Sequence, residues 1–119
     1  MATPYAQLNI FRTERARGTA DAAFVSSQLG IDGMQGGSKK GWAVSTEGRV
    51  QSHSVTDHVD ELLRTLSGKF DALQRLRAEG YWVCVFFHDT RSPDATEVLA
   101  VTAALKERDI TFDFELERD

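Results

Sequence analysis

The spacing of apolar residues changes several times along the chain, and each change marks an element. Between Tyr5 and Arg12, Leu8 and Ile10 share one side, while Gln7, Asn9 and Phe11 take the other. That alternation predicts a half-buried strand with Phe11 as the odd apolar residue on its wetter side. Thr19 is a candidate cap for a helix over 20–29, with Ala22, Val25 and Leu29 on one stripe, Phe24 beside it, and Gly30 as a left-handed stop. A glycine-rich loop follows over 32–40. Next comes a strand over 40–46 carrying Trp42 and Val44, a turn at Glu47-Gly48, and a weak returning strand over 49–52.

The longest helical pattern runs from Val55 to Glu79. Val59, Leu62, Leu63, Leu66, Phe70, Leu73 and Leu76 keep its spacing, and Ser54 with Asp57 forms a capping box at its start. Ser67-Gly68 interrupts it, which predicts a kink or two consecutive helices. After Gly80, the run Tyr81-Trp-Val-Cys-Val-Phe-Phe87 is continuously apolar and rich in aromatic and β-branched residues, as a strand buried on both faces should be. His88 to Asp94 reads as a loop. Asp94 with Glu97 opens a further helix whose inner stripe is Val98, Val101, Thr102 and Leu105, flanked by Leu99. In the last strand Ile110, Phe112, Phe114 and Leu116 face one way, and Thr111, Asp113, Glu115 and Glu117 the other.

This order predicts a single α+β domain over residues 1–119, a two-layer sandwich in which a mixed sheet of about four strands carries helices on one face. The 119 residues suffice for a core without disulfides, and the 41% apolar and 27% charged content suits a globular chain. A net charge of −4 argues against a general nucleic-acid or anionic-membrane binder, which needs a positive face. It permits a basic partner. One cysteine, Cys84, rules out an internal disulfide framework and suits a reducing compartment. With no apolar signal segment and no run of about 20 apolar residues, the expectation is a cytoplasmic protein that does not enter a membrane.

Candidate chemistry is sparse. His53, His58 and His88 lack the ligand spacing of zinc motifs, so neither metal nor cofactor is expected. Cys84, between Val83 and Val85, reads as an inert core thiol rather than a nucleophile. An enzyme would need a polar pocket built from His88, Asp89 and the acids of the last strand; without one, no catalytic residue is assigned. Gly36, Gly37, Lys39 and Lys40 offer an alternative, a loop that binds a small ligand or nucleotide, although dinucleotide and P-loop patterns are absent.

Several short motifs resemble the small, mostly bacterial family called domain of unknown function 4279. They are Leu29-Gly30-Ile31, Lys40-Gly41-Trp42, the run Asp57-His58-Val59-Asp60-Glu61-Leu62-Leu63, and the closing Phe112-Asp113-Phe114. Asp32-Gly33 departs from the pattern, since family members often carry a proline there. The resemblance implies a fold and no catalytic residues.

The coverage of the central strand carries the functional expectation. Tyr81, Val83, Val85 and Phe87 lie on one side; Trp82, Cys84 and Phe86 lie on the other. One layer of helices covers only one of these sets. The second, joined by Phe11, is left for loop 32–40 or for a protein partner or second copy of the chain. The function expected is a non-enzymatic protein-binding module, such as an immunity protein neutralising a toxin, with Trp82, Phe86 and Phe11 as its contact residues.

Overall fold

A computed structural model describes residues 4–11, 19–31, 34–35 and 42–116. The fold is α+β, with elements β1 (Tyr5–Phe11), α1 (Thr19–Leu29), β2 (Met34–Gln35), β3 (Trp42–Ser45), α2 (Val55–Thr65), α3 (Phe70–Ala78), β4 (Trp82–Asp89), α4 (Ala95–Lys106) and β5 (Thr111–Leu116). The strands form one mixed sheet in the order β2-β3-β1-β4-β5. Among the described residues only β4 and β5 are parallel, joined by α4, and every other pair is antiparallel.

The registers place Trp42, Ile10 and Val83 in one row and Val44, Leu8, Val85 and Phe112 in the next, with Ala6, Phe87 and Phe114 beyond. The helices pack on this face, and Trp42, Leu8, Ile10, Val83, Val85 and Phe87 are fully buried there with Val25, Leu29, Val59, Leu62, Leu73, Leu76 and Leu105. Trp42 satisfies its indole by donating from Nε1 to Ser26 Oγ at 3.0 Å.

Four readings of the chain are corrected. Met34-Gln35, inside the stretch read as loop, pairs with Ala43 and Trp42 and adds a short edge strand to the expected sheet of about four, giving five among the described residues. The returning strand over 49–52 does not form. Arg49 and Val50 donate their amides to Thr46 O in a turn around Gly48 (φ +78°), and β2 already occupies the outer side of β3. The long helical pattern divides at 66–69 into two consecutive helices, α2 and α3, one of the outcomes expected from Ser67-Gly68, and Gly68 has φ +78°. β4 continues two residues past Phe87, because Tyr5 pairs with His88, and Glu115 and Leu116 pair with His88 and Asp89. Cross-strand pairing outweighs the polar composition of that end. Thr102 is exposed rather than inside, its hydroxyl donating to Val98 O at 2.6 Å. The Thr19 cap falls outside the described side chains, α1 beginning at Thr19 itself.

Polar side chains tie the helix starts together. Asp94 caps α4, accepting from the Glu97 amide at 3.0 Å. Glu97 does not close that box. Its carboxylate accepts instead from the Ser54 hydroxyl and from the Thr56 amide in the first turn of α2. The Ser54 hydroxyl holds the Glu97 carboxyl below the ordinary range, with Thr56 adding to it, and the Arg64 guanidinium does the same for Glu61, with Arg49 alongside. A carboxyl depressed in the folded state stabilises fully above its unfolded value, near 4.5, and that stabilisation is lost as pH falls through the folded value. Urea midpoints measured from pH 6 to pH 3 should therefore fall below about pH 4.5, and Glu97→Gln should flatten the fall. An unchanged slope in the variant counts against the link between α2 and α4.

His58 lies on the same inner stripe and is fully buried. Its Nε2 is 2.7 Å from Ser52 O, an acceptor only, so the proton belongs on Nε2. Nδ1 then accepts from Thr46 Oγ1 at 2.6 Å, and the Thr46 oxygen accepts from the Ala6 amide at 2.9 Å. The ring packs tilted on Phe87, centroids 5.5 Å apart. One histidine thus joins α2, the segment before it, the end of β3 and the start of β1.

Candidate functional site

Strand alternation sends every second side chain to the face opposite the helices. There the registers set out four rows: Phe11 beside Trp82; Ala43, Asn9, Cys84 and Thr111; Ser45, Gln7, Phe86 and Asp113; Tyr5, His88 and Glu115. Among the described residues no helix packs on this face. The three residues expected at an interface therefore converge. Phe11 is directly opposite Trp82, and Phe86 follows four residues along β4 on the same face.

Trp82 is 54% exposed, while Phe11 and Phe86 are half-buried. Between them lies a hollow of about 280 Å³ lined by Phe11, Trp82, Cys84, Phe86, Thr111 and Asp113. Val85 and Phe112, whose side chains turn to the core, complete its floor. The apolar part comes from β1 and β4, and the polar rim from β5.

The face grades from apolar to acidic. At the far end the His88 ring stacks on Tyr5, centroids 4.7 Å apart and planes 16° from parallel, with His88 Nδ1 3.6 Å from a Glu115 carboxylate oxygen. Asp89, next in the chain, points to the opposite side of the sheet. It is buried, and its Oδ1 accepts from the amides of Thr90 at 2.7 Å and Arg91 at 3.4 Å, which turns the chain out of β4. His88 and Asp89 accordingly do not meet in one polar pocket. Cys84 and His88 share a face but stand four residues, roughly 13 Å, apart along the strand with Phe86 between.

Burial pushes the Cys84 thiol up to about 11. At pH 8 a free cysteine near 9 is far more ionised, and the higher reactivity of the more basic thiolate offsets only part of that difference, so a water-soluble disulfide reagent should label native protein at least about ten-fold slower than unfolded protein. Equal rates would show that Cys84 is open to solvent and ionisable.

Among the described residues no three His, Cys, Asp or Glu side chains converge as metal ligands, and no helix is long and apolar enough to cross a membrane. Gly36, Gly37, Lys39 and Lys40, the alternative ligand loop, lie outside the described residues.

Thr111 is not among the residues singled out from sequence, and Asp113 enters there only with the acids of the last strand, not with the aromatic set. They join the hollow because β5 runs parallel to β4 with Thr111 level with Cys84 and Asp113 level with Phe86, a register that alternation alone does not contain. Comparison of the chain with protein-family models, with curated proteins and with solved structures finds no match.

Proposed function

We propose that this chain is a non-enzymatic protein-binding module whose contact surface is the sheet face opposite the helices, with Trp82 as anchor and Phe11 and Phe86 beside it. One observation carries the reading: a 54% exposed indole stands at the mouth of an apolar hollow on a face that the described helices leave open. Large aromatic side chains are costly to leave in water and are over-represented among the residues that dominate interfaces. Asp113 and Glu115 border the apolar part, and the chain carries a net charge of −4, which suits a basic partner. An immunity protein that neutralises a basic toxin has this chemistry, and the likeness to the domain of unknown function 4279 family is compatible with it.

The experiment is affinity capture from the native host with wild type and Phe86→Asp side by side, together with the solution mass of each. The aspartate places a charge at the hollow. Capture of one stoichiometric partner by wild type and its loss in a folded variant supports the reading. A wild-type dimer that Phe86→Asp converts to monomer assigns the face to a second copy. Identical mass and identical capture in both proteins refute the surface.

A further inference from the structure

We infer that the outer edge of β5 accepts an added strand from a protein partner, and that this strand alternates aliphatic with basic residues. The inference rests on the reading of the chain as a protein-binding module but not on Trp82, and it shares only Asp113 with the hollow. Among the described residues β5 ends the sheet, with β4 hydrogen-bonded to one side and no described strand on the other. A six-residue edge presents main-chain groups that pair readily with an extended segment.

Side chains on the two faces of that edge specify what the segment carries. On the helix side, Phe114 and Leu116 remain 37% and 54% exposed, although they continue the core rows, and Leu99 on α4 is 73% exposed. Leu99 lies well round α4 from the buried Val101 and Leu105, on its solvent side, and takes no part at the edge. Phe114 and Leu116 together form an apolar shelf lacking one more strand of aliphatic side chains.

On the opposite face the same edge carries Asp113 and Glu115, roughly 7 Å apart, the spacing of alternate residues on a neighbouring strand. Asp113 Oδ1 accepts from the amide of Phe114 at 2.8 Å, so the carboxylate shields an edge donor. A lysine or arginine on the incoming strand draws that carboxylate away and frees the amide for the ladder. Neutral and acidic strands do neither. A second copy is a poor occupant, because two β5 edges joined in one continuous antiparallel sheet set Asp113 and Glu115 against the same carboxylates of the other copy.

The test uses synthetic ten-residue peptides and the ¹⁵N-labelled full chain. The probes are lysine alternating with valine, glutamate alternating with valine, and a block peptide of five lysines followed by five valines. The alternating lysine peptide should shift the amide signals of residues 111–116, slow their exchange with solvent, and bind at least about ten-fold tighter than either other peptide. Asp113→Lys combined with Glu115→Lys should transfer the preference to the glutamate peptide. Both positions are exposed, and the wild-type comparison stands without the variant. Equal binding of the lysine and glutamate peptides, binding of the block peptide as tight as the alternating one, or shifts confined to residues outside 111–116 overturns the inference. Trp82→Ala should leave the lysine peptide bound, so failure at the edge and failure at the hollow are read separately.

Discussion

His58→Ala is expected to destabilise the fold by about 3–5 kcal/mol, much of the 5–15 kcal/mol that holds a typical domain together. The alanine leaves the half-buried Ser52 O without its donor, and leaves the fully buried Thr46 hydroxyl with only the longer acceptor Ala6 O at 3.4 Å. Each of these losses costs about 1–3 kcal/mol, and the lost ring contact with Phe87 adds a cavity. His58→Leu restores volume but not hydrogen bonds, and should recover only the cavity part. Thr46→Val tests the same network from its other end. Because the two side chains share a bond, the double variant should cost less than the two single variants added together. Urea unfolding of the four proteins measures this. Additive losses would mean that His58 and Thr46 act independently, contrary to the geometry.

Trp82→Ala should show the reverse signature. Its indole is more than half exposed, so its removal costs little folding stability, whereas loss of an anchor weakens binding by about 2 kcal/mol or more, roughly 30-fold in Kd. Tyr81, one residue earlier, is buried and stacks on Phe24 with centroids 6.0 Å apart. Tyr81→Ala should lower stability while leaving the contact face in place. Neighbouring residues then separate fold from function, because the chain turns them to opposite sides of the sheet. Thermal unfolding and titration with the captured partner read both effects; a Trp82→Ala protein that binds at wild-type strength removes Trp82 from the interface.

The elements were readable wherever a single periodicity ran uninterrupted. The β1 alternation, the Gly30 stop at φ +68° and the Asp94 cap all appear at the positions that local chemistry assigns them. The two-sided apolar character of β4 was equally plain, and it located Trp82 and Phe86. What sequence did not contain was pairing. Nothing local in Met34-Gln35 marks it as a strand; β3 makes it one. His88 and Asp89 look like loop residues until Tyr5 and β5 extend the ladder past them. The His58 network was missed for a related reason. Its spacing, three residues after Val55 and four before Leu62, does place it on the buried stripe, but Thr46 and Ser52 become its partners only through the tertiary fold. Glu97 shows the same limit: the capping-box pattern is present, yet its carboxylate serves the neighbouring helix.

The apolar surplus on β4 thus becomes a specific surface, a tryptophan and two phenylalanines around a hollow edged by Thr111 and Asp113. Hydrogen–deuterium exchange of the chain, free and bound to the partner captured from its native host, tests that surface most directly. Peptides covering 5–11 and 82–88 should gain protection together on binding, while those covering α2 and α3 stay unchanged. Protection confined to the helices, with the strands that carry Phe11, Trp82 and Phe86 unaffected, would contradict the account.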